Sequence, residues 1–386
     1  MSNLNPLLGK IIALIKARGP ITFKDFMQIA LYYPGLGYYT GPGEKIGPRG
    51  DFYTSADVHP LFGAMLAKQF SQIWECLGQP QNWVLVEYGA GKGFLARDIL
   101  NALATSFRPA WEGVRYYIIE ASPEMVRRQK EFLAPFPEEK VSWANALSEV
   151  GNPGYINGII FGNELVDAFP VHRVRQTASG LKEIYINWRD GRLVEEEGEL
   201  STPLLGEYFT TLGIKLAQGQ VAEVNLAARE WLQEVAAGLG RGFVLIIDYG
   251  MDSMELYHPS RFEGTLRCYR QHRLSSDPLN HVGQQDITSH VNFSALIHWG
   301  REAGLHLAGY TTQMDFLLNL GIVEAIPRSA PDYVFDERTT RTVMAVKKLI
   351  LPEGMGGIFK VLALCKGVEQ PDLLGFPKGR KGRGQP

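Results

Sequence analysis

Cysteine is scarce in this 386-residue chain: Cys76, Cys268 and Cys365 lie far apart and form no CxxC pair. That excludes a disulfide scaffold and a zinc ribbon, and it fits a reducing compartment. No apolar run approaches the roughly 18 residues of a membrane span. Met1 to Lys10 has no charged start leading into a long apolar stretch, so no signal peptide is expected. An excess of one charge is missing as well: 39 Lys and Arg face 41 Asp and Glu, a net charge of -2. Dedicated nucleic-acid binders usually carry a strong basic excess, so no nucleic-acid partner is expected. The concentrated charge is the tail Lys378 to Arg383, with four cations and no anion. His272, His281 and His290 fall at no metal-site spacing, and there is no GxSxG elbow, so neither a metal nor a serine nucleophile is expected. What is present, 45% apolar and 21% charged residues, is ordinary globular composition. The expectation is a mixed α/β protein of the cytoplasm.

Residues 1–80 read as helical. Leu7, Leu8, Ile11, Ile12 and Ile15 make one apolar stripe, Gly19-Pro20 ends it, and Thr22 can cap a second helix. Tyr33 to Ser55 is a loop rich in glycine, proline and tyrosine. Then short apolar runs alternate with helical spacing: Trp83–Tyr88, Tyr116–Glu120, Val141–Trp143, Gly158–Phe161 and Phe243–Asp248. His306–Thr311 and Phe359–Leu364 are candidate last strands. Near-continuous apolar strands separated by helices predict a doubly wound parallel sheet covered on both faces. The span between Gly158–Phe161 and Phe243–Asp248 is too long for one crossover. Val171–Glu197 alternates around the turn Arg189-Asp190-Gly191, which predicts a β insertion, and Val221–Leu239 is the expected crossover helix. The expected division is 1–80 helical extension and loop, 81–170 with 221–366 core, 171–220 insertion, and 367–386 a basic, disordered tail.

The sharpest motif is Glu87-Tyr-Gly89-Ala90-Gly91-Lys-Gly93, between a predicted strand and a predicted helix. Glycines let the backbone approach a ligand, and the helix N-terminus offers free N–H groups. A dinucleotide GxGxxG would need its third glycine at Phe94, which disfavours a nicotinamide oxidoreductase. The GxGxG spacing with Glu87 ahead of it is similar to the S-adenosylmethionine loop of class I methyltransferases. There the positive ammonium of the ligand tolerates an acid that a pyrophosphate would not. Glu120, ending the second strand, can accept hydrogen bonds from ribose hydroxyls, and Ala121 follows it. Asn145, after the third strand, stands where an adenine amine is met, although turn chemistry explains an Asn there as readily. After the fourth strand comes Asn163-Glu164-Leu-Val-Asp167-Ala-Phe-Pro170. In doubly wound folds ligands sit at the carboxyl ends of strands. Asn163 can hold an amine N–H. Glu164 and Asp167, three apart, would share one face of a helical first turn and hold a guanidinium between them. Asp51, Tyr53 and Thr54 in the aromatic loop, and Asp248 after Phe243, are candidate substrate-pocket residues.

These blocks together, with Glu120-Ala-Ser-Pro123, Asp248-Tyr-Gly250, Gly264–Tyr269, Asp286-Ile-Thr288, Val291-Asn-Phe293, Gly50–Ser55 and Phe62-Gly63, resemble the MidA-like methyltransferases over about Gly19 to Lys366. The resemblance implies a Rossmann-like class I methyltransferase core of seven strands with an N-terminal helical extension and insertions, using S-adenosylmethionine. Mitochondrial members of that family are implicated in complex I assembly, by symmetric dimethylation of an arginine in a complex I subunit. The implied partner is therefore a protein, with a respiratory complex subunit as one candidate. A small-molecule acceptor, or a cofactor-binding assembly factor without turnover, stays open beside it. The absence of a mitochondrial presequence points to a prokaryotic member.

Overall fold

The computed structural model describes residues 5–41, 55–271, 273–275, 277–326, 337–369 and 371–376. By contacts the chain divides into two units. One gathers Met1–Phe52, Val166–Glu230 and Met251–Leu296; the other gathers Tyr53–Leu165, Trp231–Gly250 and Ile297–Pro386. These cuts depart from the expected boundaries, because the N-terminal helices, the insertion and the irregular segment after Met251 form one unit.

The second unit is built on one sheet with seven strands in its path. In chain order they are β1 (Trp83–Tyr88), β2 (Val114–Ile119), β3 (Val141–Ala144), β4 (Ile156–Asn163), β5 (Leu239–Met251), β6 (His306–Thr312) and β7 (Phe359–Lys366). Their spatial order is β6-β7-β5-β4-β1-β2-β3. β3, β2, β1, β4 and β5 are mutually parallel, while β7 runs antiparallel to both β5 and β6. Leu85, Ile118, Ile159, Phe161, Leu245 and Val361 are buried in its core. Gly158 lets β4 lie between its neighbours: its φ is 150°, and a Cβ would stand 2.0 Å from the Val84 carbonyl oxygen. Outside the sheet, Gly63 lets helix Leu61–Cys76 press on helix Phe94–Ser106, since a Cβ there would meet Asp98 Cβ at 2.5 Å.

The first unit holds helices Pro6–Arg18 and Phe23–Tyr32, the latter capped by Thr22 accepting from the Asp25 N–H. The predicted hairpin is present: strands Gly180–Arg189 and Arg192–Gly198 join through Asp190 at φ 50° and Gly191 at φ 77°. Both central residues sit at positive φ, as a type I′ turn requires. Strand Ile21–Thr22 pairs with Tyr185 and Ile186 of the same hairpin, so the N-terminal segment and the insertion share a sheet. The segment after Met251 is less irregular than expected, because Arg267–Arg270, Arg273–Ser275 and Asp286–Thr288 form a small antiparallel sheet.

Two expectations need correction. Val221–Leu239 is not one helix: Val221–Val224 is a strand paired with His172–Arg175, and the helix is Leu226–Gly238. The tail is not wholly detached either. Leu373 and Phe376 are buried, and Phe376 packs on Phe316 with ring centroids 5.4 Å apart. Leu-Leu-Gly-Phe supplies enough apolar surface to dock despite the charges that follow it.

Candidate active site

β1 delivers the glycine loop. Gly89, Gly91 and Gly93 all take left-handed φ values, 67°, 52° and 80°, which side-chain-bearing residues resist. The Gly89 N–H donates to Ile119 O and the Gly93 N–H to Ala90 O. Gly89 is exposed, Gly91 half-buried and Ala90 buried. Helix Phe94–Ser106 starts directly behind the loop with no side-chain cap, so its first N–H groups are left to a ligand or water. A compact anionic or carboxylate group fits this end.

Glu87 lies one strand position inside, 3% exposed, and accepts the Tyr116 hydroxyl at 2.7 Å. Burial pushes its carboxyl up to about 8, with the nearby Glu120 adding to the rise against the Tyr116 hydrogen bond. A cation brought alongside would reverse that shift.

Glu120 follows β2, on the strand next to the loop. Its carboxylate accepts from the Ser122 N–H at 3.0 Å and from Gln129 Nε2 at 3.1 Å. Burial raises its pKa and these hydrogen bonds oppose the rise. Gln129 is a site residue that sequence reasoning missed. It is buried, and its Nε2 also donates to Gly91 O at 2.7 Å, while its Oε1 accepts from Trp143 Nε1 at 3.0 Å. One amide thus ties the glycine loop, the ribose candidate and β3 together. A Gln on the inner face of helix Pro123–Leu133 gives no local signal of this. Ala121 is exposed beside Glu120. Asn145 is also exposed, and both its N–H and its side-chain amide donate to Glu149, so its contacts are local turn contacts.

The acceptor-side residues are arranged differently from the expected helical turn. β4 runs through Asn163, and Glu164 takes a left-handed φ of 53°. Only a short 3-10 turn, Val166–Ala168, follows. Glu164 and Asp167 therefore share no helix face, and the unit boundary falls between them. A left-handed non-glycine residue costs of order 1–3 kcal/mol and is commonest where function demands it. Here it turns the Glu164 carboxylate to accept from the Ser55 N–H at 2.8 Å and from Asn163 Nδ2 at 3.2 Å. Asn163 Oδ1 is buried with no hydrogen-bond partner among the described residues. β4 and β1 are neighbours, with Gly162 beside Tyr88, and a Cβ on Gly89 would stand 3.4 Å from Leu165. Asn163 and Glu164 thus flank the glycine loop. Asp248 is fully buried in β5, and its Oδ1 accepts the Tyr249 N–H. Asp51, Tyr53 and Thr54 lie outside the described residues, as do His272 and the tail from 377 onward. Among the described residues no group of three or more His, Cys, Asp or Glu is placed to hold a metal, and no helix is long and apolar enough to cross a membrane.

The sequence model of the S-adenosyl-L-methionine-dependent methyltransferase family matches residues 65–311. The chain belongs to that family. The methyltransferase is 36% identical to a Burkholderia thailandensis protein solved with bound S-adenosylhomocysteine, with a TM-score of 0.86 over 97% of this chain and 95% of that one. It is 27% identical to the mitochondrial protein arginine methyltransferase NDUFAF7 homolog of Drosophila melanogaster, over 96% of this chain and 87% of that protein. It is 29% identical to the mitochondrial protein arginine methyltransferase NDUFAF7 of Danio rerio, over 83% and 77%. The enzyme is thus a methyltransferase that uses S-adenosylmethionine, and the resemblance to the MidA-like family holds. The expectation of a cytoplasmic protein is corrected by these relatives, which are named as mitochondrial. Composition and the lack of an apolar span do not define a compartment.

Proposed function

We propose that this methyltransferase N-methylates an arginine of a protein, with symmetric dimethylation as the outcome and a respiratory complex subunit as a candidate substrate. The observation that carries the reading is the buried Asn163 Oδ1, which has no hydrogen-bond partner among the described residues, while the neighbouring Glu164 carboxylate is oriented at the same strand end. An acceptor oxygen and a carboxylate side by side suit a group rich in N–H donors. The relatives' names, protein arginine methyltransferase, support the same acceptor.

In this reading the glycine loop, with Gly89, Ala90, Gly91 and Gly93, holds the amino-acid end of the cofactor. Glu87 balances its ammonium from beneath the loop. Glu120, with Ala121 beside it, takes the ribose hydroxyls, and Asn145 is the candidate at the adenine. The fit rests on the three left-handed glycines and the uncapped helix end. When bound, the cofactor supplies a methyl on a sulfonium, already a good leaving group. The protein's share is therefore chiefly orientation. Asn163 and Glu164 hold guanidinium N–H groups so that a nitrogen lone pair faces the methyl carbon, and Glu164 accepts the proton released after transfer. Asp248 is a candidate for the surroundings of that cation, and Asp51, Tyr53, Thr54 and Asp167 are proposed from their places in the sequence alone.

The test pairs calorimetry with labelled methyl transfer into a lysate of cells lacking the protein, followed by mass spectrometry of modified residues. Glu164→Gln should cut transfer at least a hundredfold while leaving S-adenosylmethionine affinity within a few-fold. Label on residues other than arginine would overturn the acceptor. Full activity of the variant would remove Glu164 from the site.

A further inference from the structure

Helix Pro123–Leu133 buries two side chains, Gln129 and Leu133, four residues apart on one face. An apolar residue at 129 would satisfy that packing, as Leu133 does. A buried amide is instead destabilising unless its polar atoms find partners, and Gln129 is 0% exposed. Its partners are all present. Trp143 Nε1, which can only donate, faces Gln129 Oε1 at 3.0 Å. That leaves the amide one orientation, with its N–H groups turned to Gly91 O at 2.7 Å and to Glu120 Oε2 at 3.1 Å.

These two bonds reach different walls of the candidate cofactor site, and all the residues concerned lie in the sheet unit. At the loop, the Gly91 carbonyl is held toward the helix. Peptide planarity then aims the Lys92 N–H the opposite way, out from the helix. The helix also lies against the loop through carbon atoms: a Cβ on Gly93 would stand 3.6 Å from Leu133 Cδ1 and 3.7 Å from Gln129 Cγ. At Glu120 the two carboxylate oxygens are held separately, Oε1 by the Ser122 N–H at 3.0 Å and Oε2 by Gln129. Two anchors on two oxygens set the plane of the carboxylate. The Glu120 N–H donates to Ala144 O at 3.3 Å, so the residue after β2 is tied to the end of β3, the strand that carries Trp143.

We infer that Gln129 is a positioning residue for the cofactor: its amide holds the Glu120 carboxylate in the plane that receives two ribose hydroxyls and holds the Gly91 peptide in the orientation that receives the amino-acid end. This rests on the places given to Glu120 and the loop in the proposed function. Gln129 acts through the groups it bonds and not on the ligand. A site built to hydrogen-bond a hydroxyl rejects an analogue that lacks it. A carboxylate held in one plane can span a vicinal diol, and it separates ribose from deoxyribose more sharply than one that rotates. The same amide serves both walls, so its loss weakens the amino-acid end as well.

The test is calorimetry on the full chain with S-adenosylhomocysteine and its 2′-deoxy analogue. The wild type should bind the deoxy analogue at least tenfold more weakly. In Gln129→Met, which keeps length and apolar packing, S-adenosylhomocysteine should weaken at least tenfold, and the ratio between the two ligands should fall to threefold or less. A merely structural role would weaken both ligands alike and leave the ratio at its wild-type value. Trp143→Phe keeps an aromatic ring but removes the donor that orients the amide; there the ratio should fall at least twofold. An unchanged ratio in Gln129→Met, or in Trp143→Phe where Gln129→Met does not fold, overturns the role of Gln129 and leaves Glu120 at the ribose. If the wild type itself binds both ligands equally, Glu120 does not read the ribose, and the inference falls with that reading.

Discussion

The seven-stranded sheet is lined by apolar side chains, and its polar groups gather at one end, where β1, β2 and β4 stop. The other unit carries charge through its interior. There His172 Nδ1 and Glu183 lie 2.7 Å apart, both buried. Arg173 pairs with Glu195, lies 3.9 Å from Glu223, and packs over Phe23 at 5.0 Å. Glu223 in turn accepts from the Thr265 N–H and hydroxyl. The contrast is one of materials. One unit meets its ligand with backbone exposed by glycine, whereas the other meets its environment with fixed side-chain charge. Backbone sites fail when a side chain intrudes, and charge sites fail when a partner is removed.

The contrast predicts where each unit breaks. The largest effect falls on the charged interior. Arg173→Ala leaves Glu223 buried with its guanidinium partner gone and should cost about 3–5 kcal/mol in a denaturant melt. A double variant that makes both sites apolar should recover much of that loss; an unchanged melt in Arg173→Ala, or no recovery in the double variant, would mean the pair is incidental. Next is the glycine loop. Gly91→Val forces a β-branched residue to φ 52° and should weaken S-adenosylmethionine about a hundredfold or more in calorimetry, some 2.7 kcal/mol. Circular dichroism should stay native, and retained affinity would sink the loop assignment. Glu120→Ala removes one charged acceptor and should weaken the cofactor by about 1–3 kcal/mol. The last effect is read in pH dependence and not in affinity. The Glu87 carboxyl is raised in the fold from about 4.5 to about 8. Its contribution to stability is therefore full below about 4.5 and is lost as pH rises through about 8. Glu87→Gln should flatten that part of the cofactor-free melting curve against pH; an unchanged slope would place the titration elsewhere.

Much of this was legible in local pattern. Apolar runs such as Trp83–Tyr88 located the parallel strands, Asp190-Gly191 located the hairpin, and the three glycines located the loop, because each signal is short-range. What escaped was set by distant partners. Nothing near Gln129 announces Gly91, and nothing near Tyr39 announces the Asp286 carboxylate that accepts its hydroxyl. The left-handed Glu164 was misread as a helix start because Asn-Glu followed by Asp fits a cap, while the β-strand pairing that carries Asn163 to the strand end is invisible locally. The order of the segments between the two units was equally hidden, since it depends on which loops return to which sheet.

That order has a consequence for how the molecule is made. β7 is the last strand among the described residues, yet it lies between β5 and β6, and β6 borders no other strand of the seven. Until Phe359–Lys366 has left the ribosome, β5 lacks its partner along Gly242–Tyr249 and β6 has no strand of the seven to pair with. Each unit is also assembled from three separate stretches, so the sheet unit is begun before the other unit is finished and is closed only after it. Such long-range closure is slow, and unpaired strand edges invite association with other chains while it waits. A nascent chain stalled short of residue 359 therefore lacks the strand that joins β6 to the sheet, and its exposed strand edges are open to chaperones or proteases.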